Sequence, residues 1–302
     1  MLERLANLSR TEMGRISMGF LYHVEKCNKY DLSQFLPWTI DHKKVGYIHK
    51  DNAKYLLAFP KIFKPESDHI SLSANLSSPK DRSLATERML ERLRLANPTI
   101  PKLNEQYAVK ENTHTPKLME IDRGAADFFG ILNTGVHLNG ITDDNRNIKM
   151  WIATRSNARQ TFPGKLDNMV AGGQPSGLTQ QENLIKECRE EASIPKKMAE
   201  ASKLRGFVSY TMQSGLILRR HVMFVYDLQL APSFTPKPND GEVEKFELLP
   251  VNEVMETVKN FPSAFKYNCN LVVIDFLIRK GLIDQNYKHY QKLVKGLRSP
   301  II

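Results

Sequence analysis

The stretch AGGQPSGLTQQENLIKECREEASI, Ala171 to Ile194, runs from a glycine-containing loop into helix-forming residues from about Gln180 and ends on three carboxylates, Glu187, Glu190 and Glu191. At about 100° per residue, with Glu187 at zero, Glu190 falls about 60° to one side and Glu191 about 40° to the other, so the three share one narrow face. Leu184, Ile185, Cys188 and Ala192 fill a separate arc of roughly 60° to 160°, the side that would pack on a sheet. A charge run alone reads as a solvated face. Here, however, Glu190 and Glu191 look forward to Ile194 and Pro195 rather than to lysines one turn on, so their repulsion is expected to be left uncompensated. Clustered carboxylate oxygens are the ligands that Mg2+ and Mn2+ take, with phosphate and water completing the shell. The pattern predicts a metal-phosphate site.

The 302 residues suffice for two ordinary domains, and 41% hydrophobic with 25% charged residues is the composition of a soluble globular chain. No apolar run approaches the roughly 20 residues of a membrane helix. The N-terminal stretch lacks an uninterrupted apolar core with a cleavage site, so secretion is not expected. Cys27, Cys188 and Cys269 are too few and too scattered for a disulfide framework, which fits a reducing cytoplasm. The formal charge of +10 favours polyanionic partners, nucleic acid or phosphorylated metabolites, between which the sign does not choose; the basic residues are dispersed and match no nucleic-acid motif, which reads more as solubility than as nucleic-acid binding.

Along the chain, Phe20 to Cys27 has helical periodicity, FLPWTIDHKKVGYIH reads as strands around a turn at Asp41 to Lys44, and SLATERMLERLRLANP reads as a helix. In that helix Ser83 is the expected N-cap, and Leu84, Met89, Leu90 and Leu93 form the apolar side. After a strand at Gln106 to Val109, the polar Lys110 to Leu118 reads as a linker. The expected division is an α+β domain over 1–115, a second domain over 116–283 and a tail over 284–302. In the second domain NIKMWIATRS, FVSYTMQSG, LILRRHVMFVYDLQL and VEKFELLP read as strands, a turn falls at DDNRN, and Asn268 to Lys280 is an apolar helix.

The opening stretch resembles a Nudix box, G-x5-E-x7-R-E-U-x-E-E-x-G-U, aligned without gaps from Gly172. The core E-x-x-E-E falls on Glu187, Glu190 and Glu191. Leu178 stands at the first glutamate, Lys186 at the arginine, Cys188 at the first aliphatic place and Ser193 at the second glycine. The usual arginine anchors the loop, and lysine lacks its planar fork. RQTFPGKLDNMVAGG, FVSYT, VMFVYDLQL, DGEVEKFELLP and NCNLVVIDFLIRKGLI, with VGYIH, PKIF and LNEQYAV earlier, resemble the Nudix subfamily that carries an extra N-terminal domain. That pair of domains also occurs ahead of fungal thiamine pyrophosphokinase. The resemblance implies an α/β/α sandwich with a mixed sheet, and metal-dependent hydrolysis of thiamine diphosphate or its oxidised analogues to the monophosphate and phosphate. A binding module that recognises a phosphorylated metabolite without cleaving it is the competing reading, against which all three core glutamates are retained.

Within that frame Glu190 or Glu191 is the first choice for the base, and Glu242 in DGEVEKF is the candidate outside the box, with an ordinary turn charge as its alternative. Arg155 and Lys165 are candidate phosphate donors, each equally readable as surface charge. Gly172 and Gly173 permit close backbone approach at the loop. Cys188 is read as core, and His137 and His221 as strand or surface positions. Phe35, Trp38 and Tyr47 are candidates for a substrate-selecting pocket or for the core of the first domain.

Overall fold

The computed structural model describes residues 18–144 and 147–302; the N-terminal stretch read for a leader and the centre of the expected DDNRN turn lie outside the described residues. In chain order, α1 (Gly19–Cys27) precedes the hairpin of β1 (Phe35–Ile40) and β2 (Lys43–His49), then α2 (Lys50–Leu57), β3 (Phe63–Pro65), β4 (Ile70–Leu72) and α3 (Pro79–Ala96). The first sheet has the order β2-β1-β4-β3, with β1 and β4 parallel. Its core gathers Trp38, Phe63, Leu90 and Phe129, and the Trp38 indole donates to the Phe129 carbonyl at 2.8 Å.

The N-cap of α3 is Ser78 rather than Ser83: the Ser78 hydroxyl accepts from the Asp81 amide, and Pro79 takes the first helical position, where its missing N–H costs nothing. Ser83 lies inside the helix, and Leu84, expected on the apolar side, is 42% exposed while Met89, Leu90 and Leu93 are buried. The expected linker is the connection of a second hairpin, β5 (Gln106–Val109) with β6 (Met119–Asp122), followed by a 3-10 turn, Arg123–Ala125.

The remainder comprises β7 (Leu132–Asp144), β8 (Asn147–Arg155), β9 (Leu166–Asp167), β10 (Val170–Gly173), α4 (Gln180–Ala192), α5 (Lys196–Ala199), β11 (Lys203–Ser214), β12 (Ile217–Gln229), β13 (Val243–Pro250), α6 (Val251–Asn260), α7 (Cys269–Arg279) and α8 (Tyr290–Gly296). The main sheet runs β11-β12-β7-β8-β13, with β10 added on β7 and β9 on β8. It is mixed, because β12 and β7 pair in parallel while the other pairs are antiparallel. Strand alternation splits the sheet's side chains between two layers. Val136, Leu138, Tyr226 and Leu228 pack against Leu184, Cys188 and Ala192 of α4, whereas Val208, Tyr210, Met223 and Val225 face the cluster of α6 and α7. The result is the expected α/β/α sandwich.

The cores divide the chain differently from the expected boundaries. Phe20, Val24 and Cys27 of α1 belong to the second unit's core, and so do Leu293 and Leu297 from the expected tail. The Asn28 side chain ties the two ends together by donating to the Gly296 carbonyl at 3.1 Å. Met119, Ile121 and Phe128, expected beyond the boundary, belong to the first unit's core, so a cut at 115/116 falls inside the β5–β6 hairpin. Sequence reading missed this because an amphipathic helix does not say which sheet its apolar face meets. Among the described residues no helix is long and apolar enough to cross a membrane.

Candidate active site

The helix that carries the carboxylates begins with a capping box: Thr179 accepts from the Glu182 amide, and the Glu182 carboxylate accepts from the Thr179 amide. It ends on Ser193 at φ 54, the left-handed position where the box has glycine, with the Ser193 hydroxyl donating to the Lys237 carbonyl at 2.9 Å. Between these caps Cys188 is buried in the sheet-facing core, as expected.

β10 brings the loop backbone against α4. A Cβ on Gly172 would meet the Glu187 carboxyl group and one on Gly173 the Tyr107 hydroxyl, so the two glycines leave the space that these side chains occupy. The Ala171 amide donates to Glu191 Oε2 at 2.8 Å. Glu187 and Glu191 are buried and Glu190 is half-buried. Burial raises the Glu191 carboxyl well above the usual carboxylate range, and the Glu187 charge adds to it. Burial raises Glu187 as well, against the opposing pull of Lys186.

Lys186 corrects one sequence expectation. Its ammonium lies 3.0 Å from Glu187 Oε1 and 2.7 Å from Glu190 Oε2, so two of the three carboxylates are compensated from behind, along the helix. It does not anchor the loop. Asn183 donates to the Gly173 carbonyl at 2.9 Å and Gln174 to the Leu178 carbonyl at 2.6 Å instead.

Arg155 is buried, bonded to Asp167 at 2.9 Å and to the carbonyls of Thr161 and Phe162. Its cation is spent holding the segment after β8, so it does not serve as a free phosphate donor. Lys165 is likewise engaged, donating to the Ser263 carbonyl at 2.6 Å. Glu242 is ion-paired with Arg159, and its charge is near enough to contribute to the rise at Glu191.

Three groups absent from the sequence reading come from the first unit. Glu105 pairs with Arg123 at 2.6 Å, Glu105 adds to the repulsion felt at Glu187, and Tyr107 covers Gly173. Only the LNEQYAV likeness pointed at this segment; nothing local marked its polar residues as facing the loop. Trp38 is sealed in the first core, and Phe35 and Tyr47 pack with Leu218, so these aromatics form no open pocket.

His137, Asp167 and Cys269 form the group, among the described residues, whose ligand atoms lie within 4.8 Å of one another. Asp167 accepts from Arg155, from the Asn168 amide and from the Cys269 thiol, and the Lys266 charge faces it. Two nearby cations and a satisfied carboxylate describe a buried hydrogen-bonded network rather than a cation site.

A helix presenting three carboxylates beside a glycine-lined loop, on a mixed sheet covered by helices on both faces, defines a hydrolase of phosphoric anhydrides. Residues 134–268 match the NUDIX domain, and residues 19–133 match a domain of unknown function, DUF4743. The chain is 41% identical to Nudix hydrolase 24, chloroplastic, of Arabidopsis thaliana, covering 93% of this chain and 78% of that protein. It is 39% identical to Nudix hydrolase 20, chloroplastic, of the same plant, with 93% and 78% covered. The crystal structure of DR0079 from Deinococcus radiodurans matches 56% of this chain and 97% of its own at 24% identity, with a TM-score of 0.43. The chain belongs to the Nudix hydrolase family.

Proposed function

We propose that this protein is a divalent-cation-dependent pyrophosphohydrolase that cleaves thiamine diphosphate, or its oxidised analogues, to the monophosphate and phosphate, with Mg2+ or Mn2+ as the cation. The observation that carries the reading is Glu191: a carboxylate only 7% exposed, fixed by the Ala171 amide and crowded by Glu187, is a charge that a hard cation would neutralise. Glu187, Glu190 and Glu191 would hold the cation, which supplies charge neutralisation for the diphosphate and acidity for the attacking water. Glu190 takes the water's proton as the phosphorus–oxygen bond of the anhydride breaks; Glu242 is the candidate base outside the box. Arg123, paired with Glu105 but more exposed than Arg155, is the cation of the first unit proposed to meet a substrate phosphate.

Support for a flat aromatic ring comes from a cluster around β11 and β12. Tyr210 stacks on His221 with centroids 5.1 Å apart, Tyr267 meets Phe162 edge-on at 5.4 Å, and Asp127 supplies a carboxylate bonded to Arg219 at 2.9 Å. Arg219 already meets the Asp127 charge and lies over the Tyr267 ring, so the support is the half-buried rings of Phe162, Tyr267 and His221, which suit an aromatic thiazole or pyrimidine better than a neutral sugar. The test is a screen against thiamine-type, nucleotide and sugar diphosphates with Mg2+ or Mn2+, measuring phosphate and monophosphate. Preference for thiamine-type compounds supports the assignment, and abolition of that preference by Tyr267→Leu places the ring in this cluster. Equal rates on all three classes would overturn it.

A further inference from the structure

Lys186 stands where the box pattern has its loop-anchoring arginine, and it is engaged with carboxylates instead of the loop between β10 and α4. What holds the loop tip comes from the first unit. The Ser176 amide donates to the Gln106 carbonyl at 2.7 Å, and the Ser176 hydroxyl donates to Glu120 Oε1 at 2.6 Å. Lys117 joins the same knot, 3.1 Å from the Ser176 hydroxyl and 2.5 Å from Glu120. Tyr107 covers Gly173 at the loop's base.

These contacts stand beside a cleft of about 420 Å³ lined by Tyr107, Lys110, Lys117, Gln174, Ser176 and Thr179. With a cleft on that side, close apolar packing does not fix the tip, and the polar bonds must. The hairpin that makes them is rigidly seated. The Glu120 amide donates to Ser83 of α3 at 2.8 Å, and Asp122 accepts from the amides of Leu103, Asn104 and Gly124 and from Arg94. A continuous frame thus runs from α3 through β5 and β6 to Ser176.

We infer that the N-terminal unit is a brace for the hydrolytic loop, with Glu120 and Ser176 as its positioning residues, acting together with Asn183 and Gln174 where the box pattern has an arginine. This rests on the hydrolase reading for its consequence, but not for its geometry. A loop held from outside the Nudix domain ties catalysis to the presence of the first unit, which gives that unit a role in the reaction without contact to the reacting atoms.

The test uses the full-length chain carrying Ser176→Ala, Glu120→Ala or Glu120→Gln. Amide hydrogen exchange, measured without substrate, should quicken at least about tenfold across 174–179 in Ser176→Ala and Glu120→Ala, while exchange in β12 stays unchanged. Glu120→Gln keeps an acceptor oxygen for the Ser176 hydroxyl and should restore most of the protection. In turnover the two alanine variants should lose roughly 10- to 100-fold in kcat with the melting temperature nearly unchanged. Unaltered exchange at 174–179 in both alanine variants overturns the brace. Because exchange is read without substrate, a wild-type protein inactive on every diphosphate would sink the hydrolase reading and still leave the brace decided.

Discussion

The ammonium of Lys186 sits 2.7 Å from the Glu190 carboxylate one turn ahead of it, where the family's arginine would reach for the loop. Its pKa is subject to burial, which lowers it, but the bonds to Glu190 and Glu187 prevail and raise it. The cation on this helix face therefore competes with any divalent ion for the same oxygens. Half-exposed pairs of this kind contribute about 0.2–1 kcal/mol each, so losing both favours the metal by roughly 2- to 30-fold. Lys186→Ala should lower the Mn2+ concentration for half-maximal binding by that factor, and Lys186→Arg should not. Unchanged Mn2+ affinity in Lys186→Ala, titrated by water-proton relaxation, would show that the ammonium yields without cost.

Glu191 makes the opposite trade. Burial beside Glu187 disfavours its charged form, the form that a metal would need, so function here is set against stability. Glu191→Gln should lower kcat by several decades while raising the melting temperature of the metal-free protein by a few degrees, since about 1 kcal/mol corresponds to roughly 2–4 °C in a domain of this size. Addition of Mg2+, which should stabilise the wild type, should leave the variant's melting curve in place. A variant that melts well below the wild type in chelator would make Glu191 a structural carboxylate.

The helix face of Glu187, Glu190 and Glu191 was legible because a single helical period relates residues a turn apart, and Leu184 and Cys188 marked the side that had to be buried. Arg155 was misread for the converse reason. A strand-end arginine looks the same in sequence whether it faces solvent or, as here, the Asp167 carboxylate across a neighbouring strand. Ser78 and Ser83 both precede helical periodicity, and the proline after Ser78 was the signal that distinguishes them. Tyr107 and Glu120 reach the loop, and the Glu105 charge reaches Glu187, only through tertiary packing, which no local pattern encodes.

That packing also decides what truncation does. A chain begun at Leu118 would on sequence grounds retain the whole hydrolase domain, yet it lacks α1, whose Phe20, Val24 and Cys27 lie in the second unit's core, and it leaves β6 without β5. Exposing those core contacts costs several kcal/mol at about 25 cal/mol per Å² of apolar surface. The expected product is aggregated or inactive. Soluble, active protein from the Leu118 start would show that neither α1 nor the hairpin is required.

Acid should weaken the fold in a defined window because of His137. Its Nδ1 lies 2.9 Å from Asn168 Oδ1, it is buried in β7, and Asp167, Lys266 and His221 are the charged or titratable groups that act on it. Burial, with the Lys266 charge second, lowers its pKa from 6.5 to about 4. The unfolded chain therefore binds the proton more readily than the native one, so the stability due to this histidine is whole above pH 6.5 and drains away as the pH falls from 6.5 toward 4. The loss over that window is on the order of 3 kcal/mol. His23, buried against the Val258 carbonyl at 2.7 Å, is lowered by burial too and adds in the same direction. Urea midpoints measured from pH 7.5 to 4.5 should fall steadily below 6.5, and His137→Asn should flatten much of that slope. Glu191 and Glu187, whose carboxyls are raised, act in the opposite sense, so the comparison with the variant decides: equal slopes in wild type and His137→Asn would mean that His137 is protonated as readily in the native protein as in the unfolded chain.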